Sequence, residues 1–126
     1  MATSTKKSIR GTRTEKNLVA AYMSESSAYT RYTFYSQQAT KESYFPIAKV
    51  FDETAANELH HGKVFFKFLE GGQVPVTLEV DAGVIGDTAS NLQTAANEEM
   101  TEGVEQYTEA AKVADEEGFP EIAEHF

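Results

Sequence analysis

The sequence predicts an all-α fold, a four-helix bundle with one long crossover, in which the fourth helix is only begun and so stands truncated in this chain. Three observations predict it. Apolar residues recur at steps of three and four along three long stretches, the signature of amphipathic helices. A short connection joins the first two stretches, whereas the second and third are separated by a segment rich in glycine and β-branched residues that has no helical period. Each stripe is also interrupted near its middle by glutamate. At 126 residues the chain is long enough for one buried core and not for two domains.

Met1 to Gly11 is polar and basic and reads as a flexible arm. Thr12-Arg13-Thr14-Glu15 has the form of a capping box, and helical periodicity starts directly after it. The first stripe runs to about Thr40 through Leu18, Ala21, Tyr22, Glu25, Ala28, Tyr29, Tyr32 and Tyr35. After a brief turn at 41–45, Pro46 suits the first turn of a second helix, because its missing N–H costs nothing there. That helix carries Ile47, Phe51, Thr54, Glu58, His61, Phe65 and Phe68 on one face, and it is expected to end at Leu69 or Glu70 before Gly71-Gly72. The short turn makes the two helices antiparallel neighbours.

Residues 72–87 can span roughly 50 Å when extended, more than the roughly 40 Å of a 26-residue helix. The segment can therefore return along the whole bundle, as the crossover of ferritin-like bundles does. Thr88 or Ser90 is expected to cap a third helix running to Glu117, with Leu92, Glu99, Glu102, Gln106, Ala110 and Val113 on its stripe. Gly118 ends it, and residues 119–126 begin a last helix.

The glutamates are the informative residues. An unpaired buried carboxylate costs several kcal/mol, so a carboxylate in an apolar stripe calls for a cation, a proton or a metal. Glu58 and His61 stand at i, i+3, the spacing with which one bundle helix presents two ligands to a carboxylate-bridged dimetal site. Glu25, Glu58 and Glu99 lie about ten to twelve residues into their helices, so at about 1.5 Å per residue all three fall near mid-height. Glutamates that merely snorkel to solvent have no reason to coincide in depth; one shared site does.

Composition narrows the function. A formal charge of −9 argues against nucleic acid or an anionic membrane as partner. No cysteine is present, which removes disulfides, thiolate zinc sites and iron–sulfur or rubredoxin-type centres and leaves oxygen and nitrogen ligands. The N-terminus has no apolar core of a secretory signal, and no apolar run is long enough to span a bilayer. A soluble, cytoplasmic protein is the expectation.

The chain also echoes itself. Ile47-Ala48-Lys49-Val50-Phe51 matches Ile122-Ala123-Glu124-His125-Phe126 about 75 residues later, and at that offset Glu25 falls beside Glu99. The pattern is that of a helix pair used twice, the second copy ending where the first has reached Phe51.

At these residues the sequence resembles the rubrerythrin family, specifically its ferritin-like diiron domain. The resemblance is carried by residues 11–18, by Glu25 through Arg31-Tyr32, by Glu58-Leu59-His60-His61, by residues 65–72 and by Glu117-Gly118-Phe119-Pro120-Glu121-Ile122-Ala123. It implies a pair of carboxylate-bridged iron ions on Glu25, Glu58, His61, Glu99 and Glu102, a site that other divalent metals can also enter. It further implies reduction of hydrogen peroxide to water, and tyrosines at Tyr32 and Tyr107 that hydrogen-bond around the carboxylates. The family usually carries a cysteine-ligated rubredoxin-like domain; without cysteine this chain needs an external donor such as a rubredoxin-type protein. The last-helix Glu-x-x-His of the family is not in the sequence. His60 and His125 match no ligand position and read as solvent-facing.

Two other functions are weighed: a ferritin-like iron-sequestering protein, and a metal-poor helical oligomerisation fragment. Under every reading, three amphipathic helices leave a groove where the fourth should lie, and several hundred Å2 of apolar surface drives association by on the order of 10 kcal/mol. The expectation is a homodimer with helix exchange, in which Glu58 and His61 of a second copy stand in for the absent ligands.

Overall fold

The computed structural model describes residues 7–80 and 82–126; the side chains of 98–106 also lie outside the described residues. Four helices follow in order: α1 Arg13–Lys41, α2 Phe45–Phe66, α3 Thr88–Glu116 and α4 Pro120–Ala123. α1 packs antiparallel along α2 and also against α3, and α4 folds back on α3. α2 meets the residues after α4 through Phe65 on Phe126, ring centroids 5.4 Å apart, and Phe68 on His125 at 5.2 Å. Among the described residues α2 and α3 make no backbone contact, so the long connection links diagonal helices. That is why it must cross the bundle rather than turn. Within it Val74, Val76 and Leu78 are half-buried and their neighbours exposed, an alternation of period two that suits an extended strap.

The helix ends are built twice. Thr12 caps α1 by accepting from the Glu15 N–H, and Asp87 caps α3 by accepting from the Ser90 N–H. The cap of α3 is therefore Asp87, not Thr88 or Ser90, because the Thr88 hydroxyl is used elsewhere. It donates to Glu42 Oε2 at 2.6 Å, and the Thr88 N–H donates to the same oxygen at 2.8 Å. Glu42 is the residue that ends α1. In the reciprocal arrangement Glu117, which ends α3, accepts from the Thr14 N–H at 2.7 Å and from the Thr14 hydroxyl. Both helices then close with the same pair of C-terminal hydrogen bonds: Tyr44 N to Ala39 O and Ser43 N to Thr40 O, against Phe119 N to Ala114 O and Gly118 N to Asp115 O. This closure needs a left-handed residue, supplied by Gly118 at φ 87° and, less comfortably, by Ser43 at φ 64°.

Two boundaries differ from the sequence reading. α2 stops at Phe66, after which Phe68 N to Phe65 O and Leu69 N to Phe66 O tighten the chain into shorter turns before the glycines. The arm is not loose from residue 7 onward. Ile9 is 3% exposed and packs with Leu18, Phe65, Ala114, Phe119 and Ile122. Glu70 fixes this segment, accepting from the Ser8 hydroxyl at 2.7 Å and the Ile9 N–H at 3.0 Å. Lys7 reaches the Glu117 carbonyl and lies over the Phe119 ring. Residues 1–6 lie outside the described residues.

The core has two parts. The cluster around Ile9, Leu18, Ala21, Phe65 and Ile122 fills one end of the bundle. The other holds Tyr32, Tyr35, Ala39, Ala48, Phe51 and Ala55. Between them, along α1 and α2, lies a polar layer.

Candidate metal centre

Glu25 leaves α1 four residues after Ala21, the last core residue of one cluster, and seven before Tyr32 of the other, so helical geometry sets it between them. Its side chain is 8% exposed. From α2, Glu58 and His61 come in at i, i+3, with side chains 15% and 54% exposed. His61 Nδ1 lies 3.7 Å from Glu25 Oε2 and 3.8 Å from Glu58 Oε2. Each of the three residues offers a ligand atom, and these atoms all lie within 4.8 Å of one another. Two carboxylates and an imidazole from two helices thus face one point.

The close approach of those helices depends on a residue that stripe reading passed over. The buried face of α2 runs through Ala48, Phe51, Ala55, Gly62 and Phe65. It is turned from the expected stripe, which put Thr54 and His61 at its centre, because Ala48, Ala55 and Gly62 recur every seven residues and let α1 come near. At Gly62 an added Cβ would sit 3.5 Å from Glu25 Cβ and 4.0 Å from the Tyr22 ring. Glycine inside a helix costs about 1 kcal/mol relative to alanine, and that cost is the signal in the sequence that could have pointed to a close contact here.

Tyr107 supplies the second polar contact. Its hydroxyl donates to Glu25 Oε1 across 2.7 Å. The phenol is pushed far above its ordinary range, first by burial, then by the hydrogen bond to Glu25 and the charges of Glu25 and Glu58; a hydrogen bond with Ser24 offsets part of this. Tyr107 therefore stays a donor wherever the helices are folded. One oxygen of Glu25 is held by Tyr107 and the other faces Glu58 and His61.

Tyr32 is 3% exposed and lies in the apolar cluster, its ring 5.8 Å from Tyr35 and 6.2 Å from Phe51. Glu99 and Glu102 fall on α3, but their side chains lie outside the described residues. His60 and His125 are exposed. Both nonetheless border the cleft in front of Glu25, which His61, Val64, Phe65 and Tyr107 complete. His125 is also held, Nδ1 lying 3.0 Å from the Glu121 carbonyl.

No helix among the described residues is long and apolar enough to cross a membrane. Residues 16–126 match the profile of the family described as Rubrerythrin. The chain is 51% identical over 120 residues to the rubrerythrin of Porphyromonas gingivalis, covering 95% of this chain and 60% of that protein. It is 44% identical over 120 residues to the rubrerythrin of Nitratidesulfovibrio vulgaris, covering 95% and 63%. Nigerythrin from the same organism is 32% identical over 108 residues, with 83% and 52% covered. The chain thus spans less than two thirds of the length of these relatives. A helical bundle with one diagonal crossover, two glutamates and a histidine meeting between its core clusters, and a profile match from residue 16 to residue 126 agree: the chain belongs to the rubrerythrin family and has its ferritin-like fold.

Proposed function

We propose that this chain is the diiron module of a rubrerythrin-type peroxidase. In this reading it reduces hydrogen peroxide in the cytoplasm with electrons from an external carrier such as a rubredoxin-type protein. The observation that carries the reading is the convergence of Glu25, Glu58 and His61, with ligand atoms within 4.8 Å of one another.

The donor set fits the group. Carboxylate oxygen and imidazole nitrogen suit iron in both common oxidation states. Two carboxylates set between apolar clusters also carry charge that a bound cation offsets. By the family resemblance Glu99 and Glu102 of α3 would complete the set, and the ions would be a carboxylate-bridged pair; other divalent metals would bind the same donors. When bound, iron supplies the two electrons that, with two protons, take hydrogen peroxide to two waters.

The residues of the chain do the rest. Tyr107 orients Glu25 by holding Oε1, so that Oε2 is the oxygen offered to the site. Gly62 keeps α2 close enough for Glu58 to share it. Tyr32, by the same resemblance, orients a further carboxylate. A second copy, exchanging helices across the open side of the bundle, brings its own Glu58 and His61 to complete the ligands.

The experiment is metal analysis with peroxide consumption under anaerobic conditions. Iron-loaded protein should consume peroxide, and Glu58→Ala and His61→Ala should each lower the rate by at least about 100-fold. Equal rates in the three proteins would sink the reading. Uptake of many irons per bundle would replace it with iron storage, and a stable monomer on sedimentation would remove the helix exchange.

A further inference from the structure

The sequence holds three histidines, and all three border the one cleft of about 440 Å3 in front of Glu25. His60 and His61 come from α2 and His125 from the residues after α4, so two separate parts of the chain bring them to the same place. Val64 and Phe65 supply apolar wall, and among the described residues the lining holds no lysine or arginine. The metal centre uses His61 alone. Two exposed imidazoles are left at the mouth of the cleft with no part in it.

His125 is held as a ligand is held. Its Nδ1 lies 3.0 Å from the Glu121 carbonyl oxygen. A carbonyl oxygen only accepts, so Nδ1 carries the hydrogen and the lone pair of the neutral ring is on Nε2. Metal-binding histidines are set in this way, one ring nitrogen donating to a carbonyl so that the other is offered to the ion. The Phe68 ring steadies the imidazole further, meeting it nearly edge-on with centroids 5.2 Å apart. His60 stands beside His61, ring centroids 6.5 Å apart, and so reaches the cleft one residue from a ligand of the centre.

The centre itself is poorly placed to take an ion straight from water. The Glu25 and Glu58 side chains are 8% and 15% exposed. A divalent ion must give up most of its water to reach them, and a bare ion would lose on the order of tens of kcal/mol of hydration. Ligands met on the way replace that water in steps. Exposure falls from the two mouth histidines through His61 to Glu58 and Glu25, and the donor changes from imidazole nitrogen to carboxylate oxygen in the same order. The net charge of −9 draws cations to the whole surface and singles out no point on it. The imidazoles do. Among the described residues only Glu25, Glu58 and His61 form a group of three tight enough to chelate, so an ion at the mouth keeps water in most of its positions and stays exchangeable.

We propose that His60 and His125 form a capture site for a divalent ion of the first transition row, which passes from there by way of His61 to Glu25 and Glu58. The proposal rests on the metal-centre reading for the ion's destination, whereas the capture step has a test of its own.

Metal-free protein is mixed with Co2+ in a stopped-flow instrument, and the visible absorption of the bound ion is followed. His60→Gln with His125→Gln should lower the second-order loading rate at least about tenfold, with the final stoichiometry and the dissociation constant unchanged. His60→Asp with His125→Asp puts a ligand back at each position and should recover most of the rate, which a folding defect would not allow. A second measurement does without the centre. In Glu25→Gln with Glu58→Gln, substoichiometric Mn2+ should broaden the ring proton signals of His60 and His125. Equal loading rates in the wild type and the double glutamine variant at 60 and 125, or no broadening at these two rings, would overturn the proposal. So would a parallel loss of rate and affinity, which would make the two residues supports of the centre itself. Broadening at both rings in a protein whose centre takes up no Co2+ would uphold the capture site and sink the reading of Glu25, Glu58 and His61 as a metal centre.

Discussion

The Tyr107 hydroxyl donates to Glu25 Oε1 at 2.7 Å, which leaves Oε2 of the same carboxylate 3.7 Å from His61 Nδ1. One hydrogen bond thus decides which oxygen the site receives. Tyr107→Phe should destabilise the metal-free protein by about 1–3 kcal/mol in urea unfolding, since it strands a buried acceptor. The same residue sets an alkaline limit. Its folded pKa lies above the ordinary 10.0, so its contribution to stability is complete below about pH 10 and is lost as pH rises further, where the unfolded chain ionises and the folded one does not. A spectrophotometric titration should find Tyr107 still protonated after the exposed tyrosines have ionised, and Tyr107→Phe should remove that late step.

Removing Glu58 should have opposite effects with and without metal. In the metal-free protein Glu58→Gln relieves repulsion with Glu25 and should raise stability by about 1 kcal/mol, the scale of two charges a few ångströms apart near a surface. With zinc or cobalt present the variant should lose at least about tenfold in affinity by calorimetric titration. Parallel losses in both states would mean that Glu58 is structural.

Gly62 is a spacing residue, and its variants should separate by size. Gly62→Ala places Cβ in ordinary contact with Glu25 and gains helix propensity, so unfolding free energy should change by less than about 1 kcal/mol. Gly62→Leu should cost about 1–3 kcal/mol by overpacking and weaken metal binding, because it drives Glu58 away from Glu25.

How legible all this was in the sequence depends on the range of the interaction. The depth of Glu25 and Glu58 and the facing of His61 follow from a 3.6-residue period, so the polar layer between two apolar clusters was legible. The centre of the α2 face was not, because Ala48, Ala55 and Gly62 mark it by smallness, which hydropathy hardly registers. Ile9 was missed for a related reason: a lone apolar residue in a polar arm has no period. Tyr107 came only through family resemblance, since its partner lies far away in sequence. The Glu42–Thr88 and Glu117–Thr14 pairs are equally remote, and only the short echo of residues 47–51 in 122–126 pointed to such a symmetry.

Ser43 marks a place where the second use of the helix pair improves on the first. Both α1 and α3 close on a left-handed residue, Ser43 at φ 64° and Gly118 at φ 87°. Ser43→Gly should therefore stabilise the protein by roughly 0.5–1 kcal/mol, and Gly118→Ser should destabilise it by a similar amount in thermal unfolding.

The two corner glutamates should shape the acid limb of the stability curve. The Glu42 pKa is lowered by hydrogen bonds from the Thr88 and Gln38 side chains. Burial would raise that of Glu117, but hydrogen bonds from the Thr14 side chain and from the Thr14 and Arg13 backbones bring it below the ordinary value. Both contributions are present above the unfolded value of about 4.5 and are lost as pH falls through the lower folded values. Replacing both residues by glutamine should flatten the loss of stability below about pH 4.5 in a pH series of denaturant melts.

The reciprocal corners also change what the crossover is for. The end of α1 is tied to the start of α3 through Glu42 and Thr88, and the end of α3 to the start of α1 through Glu117 and Thr14. These ties fasten the two halves of the molecule at both ends without using residues 72–87. The connection is then a tether that sets local concentration rather than a beam that bears strain. A protease cut within it should leave a nicked protein whose two fragments stay associated and melt together as one body, and fragments made separately should find each other when mixed.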